Sequence, residues 1–262
     1  MTQTLLAVDA ERREWRRVRA VRLAGTALGV GAAVLVAQWG RHGTGLMLAP
    51  AAFGLAVLLG TVVSETLARP PHPPGPRSAS LTPRRVRDHL PSTTPLVLAL
   101  VLVLVALLIV TTLSASADES GESRQLACTD PVVTQTHGPY AGAFYSTPLA
   151  LALLLVLAVA ALAAREVVLR PRGVSHSESG ADAQRRESVG VVVAATGIAV
   201  GAPLVGVLLT TASALGMGSA DPTCAPAWWA PTGLATGLLA VTVACGVSLL
   251  LGRLMLLPGG RR

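Results

Sequence analysis

Residues 95–114 read PLVLALVLVLVALLIVTTLS, an unbroken apolar run without an acid, a base or a histidine. A bilayer core about 30 Å thick is crossed by about 20 apolar residues in a helix. The run is continuous and leucine-rich rather than alternating, and it is too long for a barrel strand. Outward from it, five more charge-free stretches qualify or nearly qualify: Leu23–Trp39, Leu46–Ser64, Pro148–Ala164, Val189–Leu215 and Trp229–Leu251. The first and fourth are short. Local bilayer thinning or extension into the flanks would accommodate them. Composition agrees with this reading: 52% of residues are hydrophobic, 13% are charged and the mean hydropathy is +0.59. A soluble domain carries about a quarter charged residues. Residues 1–22 are polar and basic ahead of a run long enough to span, so the first helix is expected to remain uncleaved.

The chain contains 21 basic residues, all arginine. Nineteen fall in 1–22, 65–94, 165–188 and 252–262, and only Arg41 and Arg124 fall in the intervening loops. By the positive-inside rule the arginine-rich set is cytoplasmic and both termini lie inside. Nine acids accompany the nineteen arginines and five accompany the two, giving formal charges of +10 and −3. Moving any one span out of the count mixes the two arginine sets. The expected fold is therefore an all-α polytopic membrane bundle of six transmembrane helices arranged as three hairpins, in a cell membrane.

The segments follow in order. Residues 1–22 form a basic interfacial helix, 23–64 the first hairpin, 65–94 a Pro/Arg-rich cytoplasmic linker and 95–164 the second hairpin with a long outer loop. Residues 165–188 form a polar cytoplasmic linker, 189–252 the third hairpin and 253–262 a cytoplasmic tail. In the first segment Leu5, Val8, Trp15, Val18 and Val21 fall toward one side among arginines. That pattern fits a helix lying on the lipid surface, or one docking a cytoplasmic partner. Glu65 with Arg69 and Glu166 with Arg170 stand at i,i+4 before a proline at two span ends, and Arg84-Arg85 and Arg185-Arg186 repeat the same offset of 101 residues. An internal duplication would give this echo. So would two independent helix ends that each need an interface ion pair and a stop.

Eight aromatic residues are present. Trp39, Tyr140, Tyr145, Trp228 and Trp229 sit where an outer headgroup-level belt is expected; a cage for a cationic ligand is the alternative. Cys128 and Cys224, each beside an Asp-Pro, lie in the two larger outer loops, where a disulfide between them is expected. Two unpaired or intermolecular thiols are the alternative. Cys245, inside the sixth span, reads as an apolar filler. Gly25/Gly29, Gly197/Gly201 and Gly233/Gly237 place small residues one turn apart and allow close helix crossings, within the chain or between copies. Pro203 is expected to kink the fifth helix.

No chemical constellation emerges. Without lysine there is no Schiff-base or phosphate-binding lysine and no P-loop. The histidines all lie in loops, none at metal spacing. No nucleophile elbow or zinc-protease motif is present, and no ionisable residue lies in an apolar core, as ion pathways usually require. Thr111, Thr112, Thr196, Thr210, Thr211 and Ser213 could line a polar seam or bond back to their own helices. No cofactor, catalytic residue, metal or nucleic-acid partner is expected. The arginines serve orientation and lipid headgroups. Six spans, a basic lead-in helix and a polar linker after the second span resemble the layout of small bacterial ABC-2-type exporter permeases. That resemblance implies a separate ATPase on the cytoplasmic loops. The alternatives are a scaffold or sensor subunit that recognises partners through its outer loops, and a membrane enzyme of unfamiliar design.

Overall fold

The computed structural model describes residues 2–67, 86–131, 134–169, 178–220 and 224–256. Six helices account for most of them: α1 (Thr2–Ala37), α2 (Thr44–Leu67), α3 (Thr94–Ser114), α4 (Ala143–Leu169), α5 (Glu178–Ser219) and α6 (Trp229–Leu256). Each contains a stretch long and apolar enough to cross a membrane. The chain is a multi-pass helical membrane protein. The short fourth apolar run gains length at both ends, because α4 extends through Ala143 and Leu169. The basic lead-in is helical and runs without a break into the first span. Its stripe at Leu5, Val8, Trp15 and Val18 lies outside the described side chains.

α5 is the central helix. Its apolar window is 72% buried, against 17–33% for the other five, and it packs on α2, α3, α4 and α6. Its sequence suits that place, since Ala195, Ala199 and Gly201 keep its surface low. A Cβ on Gly54 of α2 would stand 2.3 Å from the Cα of Ala199, so the two backbones touch. α1 approaches α2 in the same way, with a Cβ on Gly25 falling 2.9 Å from the Cα of Gly60. Lipid tails are as apolar as leucine, so this close packing, not hydrophobic burial, holds the helices together. Leu58, Leu104, Ile198, Leu204 and Leu208 fill the interior. Leu28, Leu102, Leu113, Leu151, Leu234 and Leu249 point outward. On a soluble protein so much exposed leucine would invite association; here it meets hydrocarbon.

The connection between α3 and α4 departs from the all-α expectation. It contains a three-stranded antiparallel sheet, β1 (Ser116–Ala117), β2 (Ser123–Thr129) and β3 (Thr134–His137), with β2 central. Leu126 and Cys128 turn inward from β2, while Thr134 and Thr136 face out from β3, the period of two that a half-buried sheet needs. Cys128 is paired with Gln135 and Leu126 with His137. Gly121, at φ +80°, closes the turn before β2, a conformation open to glycine at little cost.

Candidate functional site

The structure concentrates its polar and aromatic contacts at the two ends of the bundle. At the capped end, the turn between α1 and α2, the sheet and the turn between α5 and α6 come together. The sulfurs of Cys128 and Cys224 lie 2.09 Å apart, with their Cα atoms 5.8 Å apart. Around them Leu126, Tyr140, Ala214, Leu215 and Trp229 form a buried cluster. The Tyr140 hydroxyl is 2.7 Å from Ser114 Oγ, and burial raises its pKa above the ordinary tyrosine value while the Ser114 hydrogen bond opposes that shift. Trp229 meets His137 and Trp228 edge-on. Gly218 is needed at this contact, because a Cβ there would fall 2.4 Å from the Trp229 ring.

Asp118 organises the turn before β2. Its Oδ1 accepts the backbone N–H of Ser120 at 2.8 Å and of Glu122 at 2.9 Å, and its Oδ2 pairs with the Arg124 guanidinium. The Glu122 N–H, followed by Arg124 and the Ser120 N–H, holds the Asp118 carboxyl below the usual carboxylate range. Arg124 also lies 6.0 Å from the centre of the Phe144 ring. The Tyr145 hydroxyl donates to the carbonyl oxygen of His42 at 2.5 Å, tying the α1–α2 turn to the start of α4.

The expected aromatic belt therefore divides. Trp39 and Trp228 are exposed, 75% and 57%, as anchors must be. Tyr140, Tyr145 and Trp229 are buried instead, because their partners come from the sheet, α5 and the α1–α2 turn. The cover on Tyr140 and Trp229 comes from the sheet, whose short, half-polar strands carry little signal in the sequence.

At the opposite end the structure has a buried ion pair that the sequence reading lacks. Arg22 Nη2 donates to Glu65 Oε1 at 3.0 Å, with side chains 5% and 9% exposed. Its Nε donates to Ser64 Oγ at 3.3 Å and its Nη1 to the Leu254 carbonyl at 3.4 Å. One guanidinium thus joins α1, α2 and α6. The expected partners Arg69 and Arg170 lie outside the described residues; Glu166 is described and exposed. Arg185 and His89 are also buried at this end, where the 3₁₀ turn Val86–His89 packs on α4 and α5. The missed signal was the placement of Arg22 directly before the first apolar run, opposite Glu65 directly after the second.

Most of the proposed hydroxyl seam is turned into its own helices: Thr111, Thr196, Thr210 and Ser213 donate to carbonyls three or four residues back. Thr211 is buried and its hydroxyl has no hydrogen-bond partner among the described residues. The glycines serve packing inside the chain. Gly29 faces Phe53, Gly197 faces Leu250, Gly201 faces Val247, and Gly233 faces the backbone of Ala212 and Gly216. Gly237 is in ordinary contact with Ala212. Pro203 is buried within α5, which continues helically on both sides of it. Cys245 is exposed on α6 rather than filling the interior. Among the described residues, no three of His, Cys, Asp and Glu are placed to share a metal ion. The chain matches no protein-family model, no curated protein and no solved structure.

Proposed function

We propose that this protein is a non-enzymatic subunit of a larger membrane assembly, a permease-like transport component driven by a separate cytoplasmic ATPase. In this reading the arginine-rich segments and both termini are cytoplasmic, the helices work as three hairpins, and the sheet faces outward. The observation that carries it is the Arg22 contact. One buried guanidinium couples the basic lead-in helix to the ends of α2 and α6, so a partner pulling on the cytoplasmic segments has a direct path into the bundle. The sulfur pair Cys128–Cys224 supports the orientation, because an oxidising exterior would keep it bonded. Copurification in mild detergent tests the reading. A stoichiometric nucleotide-binding subunit is expected, lost on truncating residues 1–21. A protein isolated alone from native membranes would overturn it.

The outer cap favours a second reading, a scaffold or sensor subunit. A small sheet packed on Trp229 and Tyr140, with Trp39 and Trp228 exposed near it, is a fixed surface suited to recognition. A stable partner held by the cap, unaffected by truncation of the lead-in, would select this alternative.

A further inference from the structure

α1 and α2 form one packed unit. A Cβ on Gly25 would fall 2.9 Å from the Cα of Gly60, and one on Gly29 would fall 3.1 Å from Phe53. The Arg22–Glu65 pair and the bond from Arg22 to Ser64 lie inside the same unit. The unit meets the rest of the bundle mainly through α2, which packs on α5 and α4. α2 comes nearest to α5 at Gly54, where an added Cβ would stand 2.3 Å from the Cα of Ala199. About one turn away Gly206 of α5 offers its bare face to the Pro50 ring. Small residues at this crossing leave no long side chains interlocked, so the crossing angle is set elsewhere. Two hydrogen bonds set it, one near each end of α2. Arg22 Nη1 donates across to the Leu254 carbonyl of α6 at 3.4 Å, and the Tyr145 hydroxyl of α4 donates to the His42 carbonyl at 2.5 Å.

We infer that the α1–α2 unit turns on α5 about the Gly54–Ala199 contact, and that the Arg22 and Tyr145 bonds latch this one motion from opposite ends. Gly54 lies ten residues from Thr44 and eleven from Glu65, so the two arms are about 15 and 16 Å long by helical rise. Packed helix pairs scatter by about 15–20° around their preferred crossing angles. A change of about 10° slides each end sideways by about 3 Å on those arms, which is enough to part either hydrogen bond. Both acceptors are main-chain carbonyls, and the charged pair inside the unit travels with it unbroken. Release at one end therefore frees the other. The device couples the capped end to the Arg22 end without bending a helix, and it serves a transport component or a sensor alike.

The test reads two distances on the full chain in lipid nanodiscs by pulsed electron resonance. Spin labels are carried on a ketone-bearing amino acid, so the cysteines stay untouched. Labels at the exposed positions of Ala20 on α1 and Arg186 on α5 report the Arg22 end, and labels at the exposed positions of Arg41 and Ala230 report the capped end. Tyr145→Phe removes the capped-end bond. Arg22→Lys keeps a cation for Glu65 and gives up the second arm that reaches Leu254. Each substitution alone is expected to shift both distances, or to broaden both, by about 3 Å. A change confined to the substituted end, as a local bend at Pro50 would give, overturns the inference. So do distances at both ends that match the parent in both variants. The chain is measured without a partner, so this result and the copurification result stand or fall separately.

Discussion

Arg22→Met tests whether the buried ion pair holds the bundle together. The substitution keeps most of the stem and removes the guanidinium. Glu65 then loses the cation 3.0 Å from its carboxylate, and Ser64 Oγ and the Leu254 carbonyl lose their donor. Both charged side chains are less than a tenth exposed, so water cannot readily take over. Removing one partner of such a pair costs about 3–5 kcal/mol. At about 2–4 °C per kcal/mol for a chain of this size, the melting temperature should fall by roughly 6–20 °C. The double variant Arg22→Met/Glu65→Leu removes both charges. Replacing a buried pair by apolar side chains is often neutral or stabilising, so the double variant should recover most of the loss, with a coupling energy of about 2 kcal/mol or more. Thermal unfolding in one fixed detergent, followed by tryptophan fluorescence, measures all three proteins. A double variant as unstable as Arg22→Met, or an Arg22→Met protein that melts like the parent, would refute the reasoning.

Three further outcomes follow from the geometry. Cys128 and Cys224 are 96 residues apart, so a bond between them is worth about 4.7 kcal/mol in the chain-entropy model; alkylation of intact cells should spare both until reductant is added, and free labelling beforehand would show them unbonded. Gly54→Val should disrupt the bundle, because its Cβ would overlap the Ala199 backbone, whereas Gly31→Val, with nothing within 4 Å, should leave the melting temperature nearly unchanged; equal effects would contradict the packing of α2 on α5. The Asp118 pKa is lowered in the folded cap, so its contribution is fully present above the unfolded value of about 3.9 and is lost as pH falls through the folded value; amide protection factors in β2, taken relative to the intrinsic exchange rate at each pH, should fall on acidification through that window, and Asp118→Asn should remove that pH dependence.

The sequence reveals the six helices because a bilayer imposes length and apolarity on each one independently, and Pro95–Ser114 satisfies both without any tertiary information. It reveals the meeting of Cys128 with Cys224 as one pairing among few candidates. It does not reveal what depends on shape. The sheet at Ser116–His137 is short and half polar, and its period of two emerges only where Leu126 and Cys128 find the Trp229 cluster. Tyr140 and Tyr145 look like headgroup anchors until the sheet and the His42 carbonyl cover them. Glu65 has an arginine four residues on in the chain, outside the described residues, and its contact with Arg22, 43 residues away, comes from a neighbouring helix. Local spacing identifies a possible partner, whereas crossing helices bring Arg22 within reach.

In the proposed orientation the Arg22 end of the bundle faces the cytoplasm and the Cys128–Cys224 cap faces outward. Single cysteines placed in an otherwise cysteine-free chain at Ser78, Ser120, Ser179 and Ala220, probed in intact cells with a membrane-impermeant maleimide, test it most directly. Labelling is expected at positions 120 and 220, with protection at 78 and 179 until the membrane is opened. Protection at 120 with labelling at 179 would invert the protein, and labelling at 120 but not 220 would break the six-span topology.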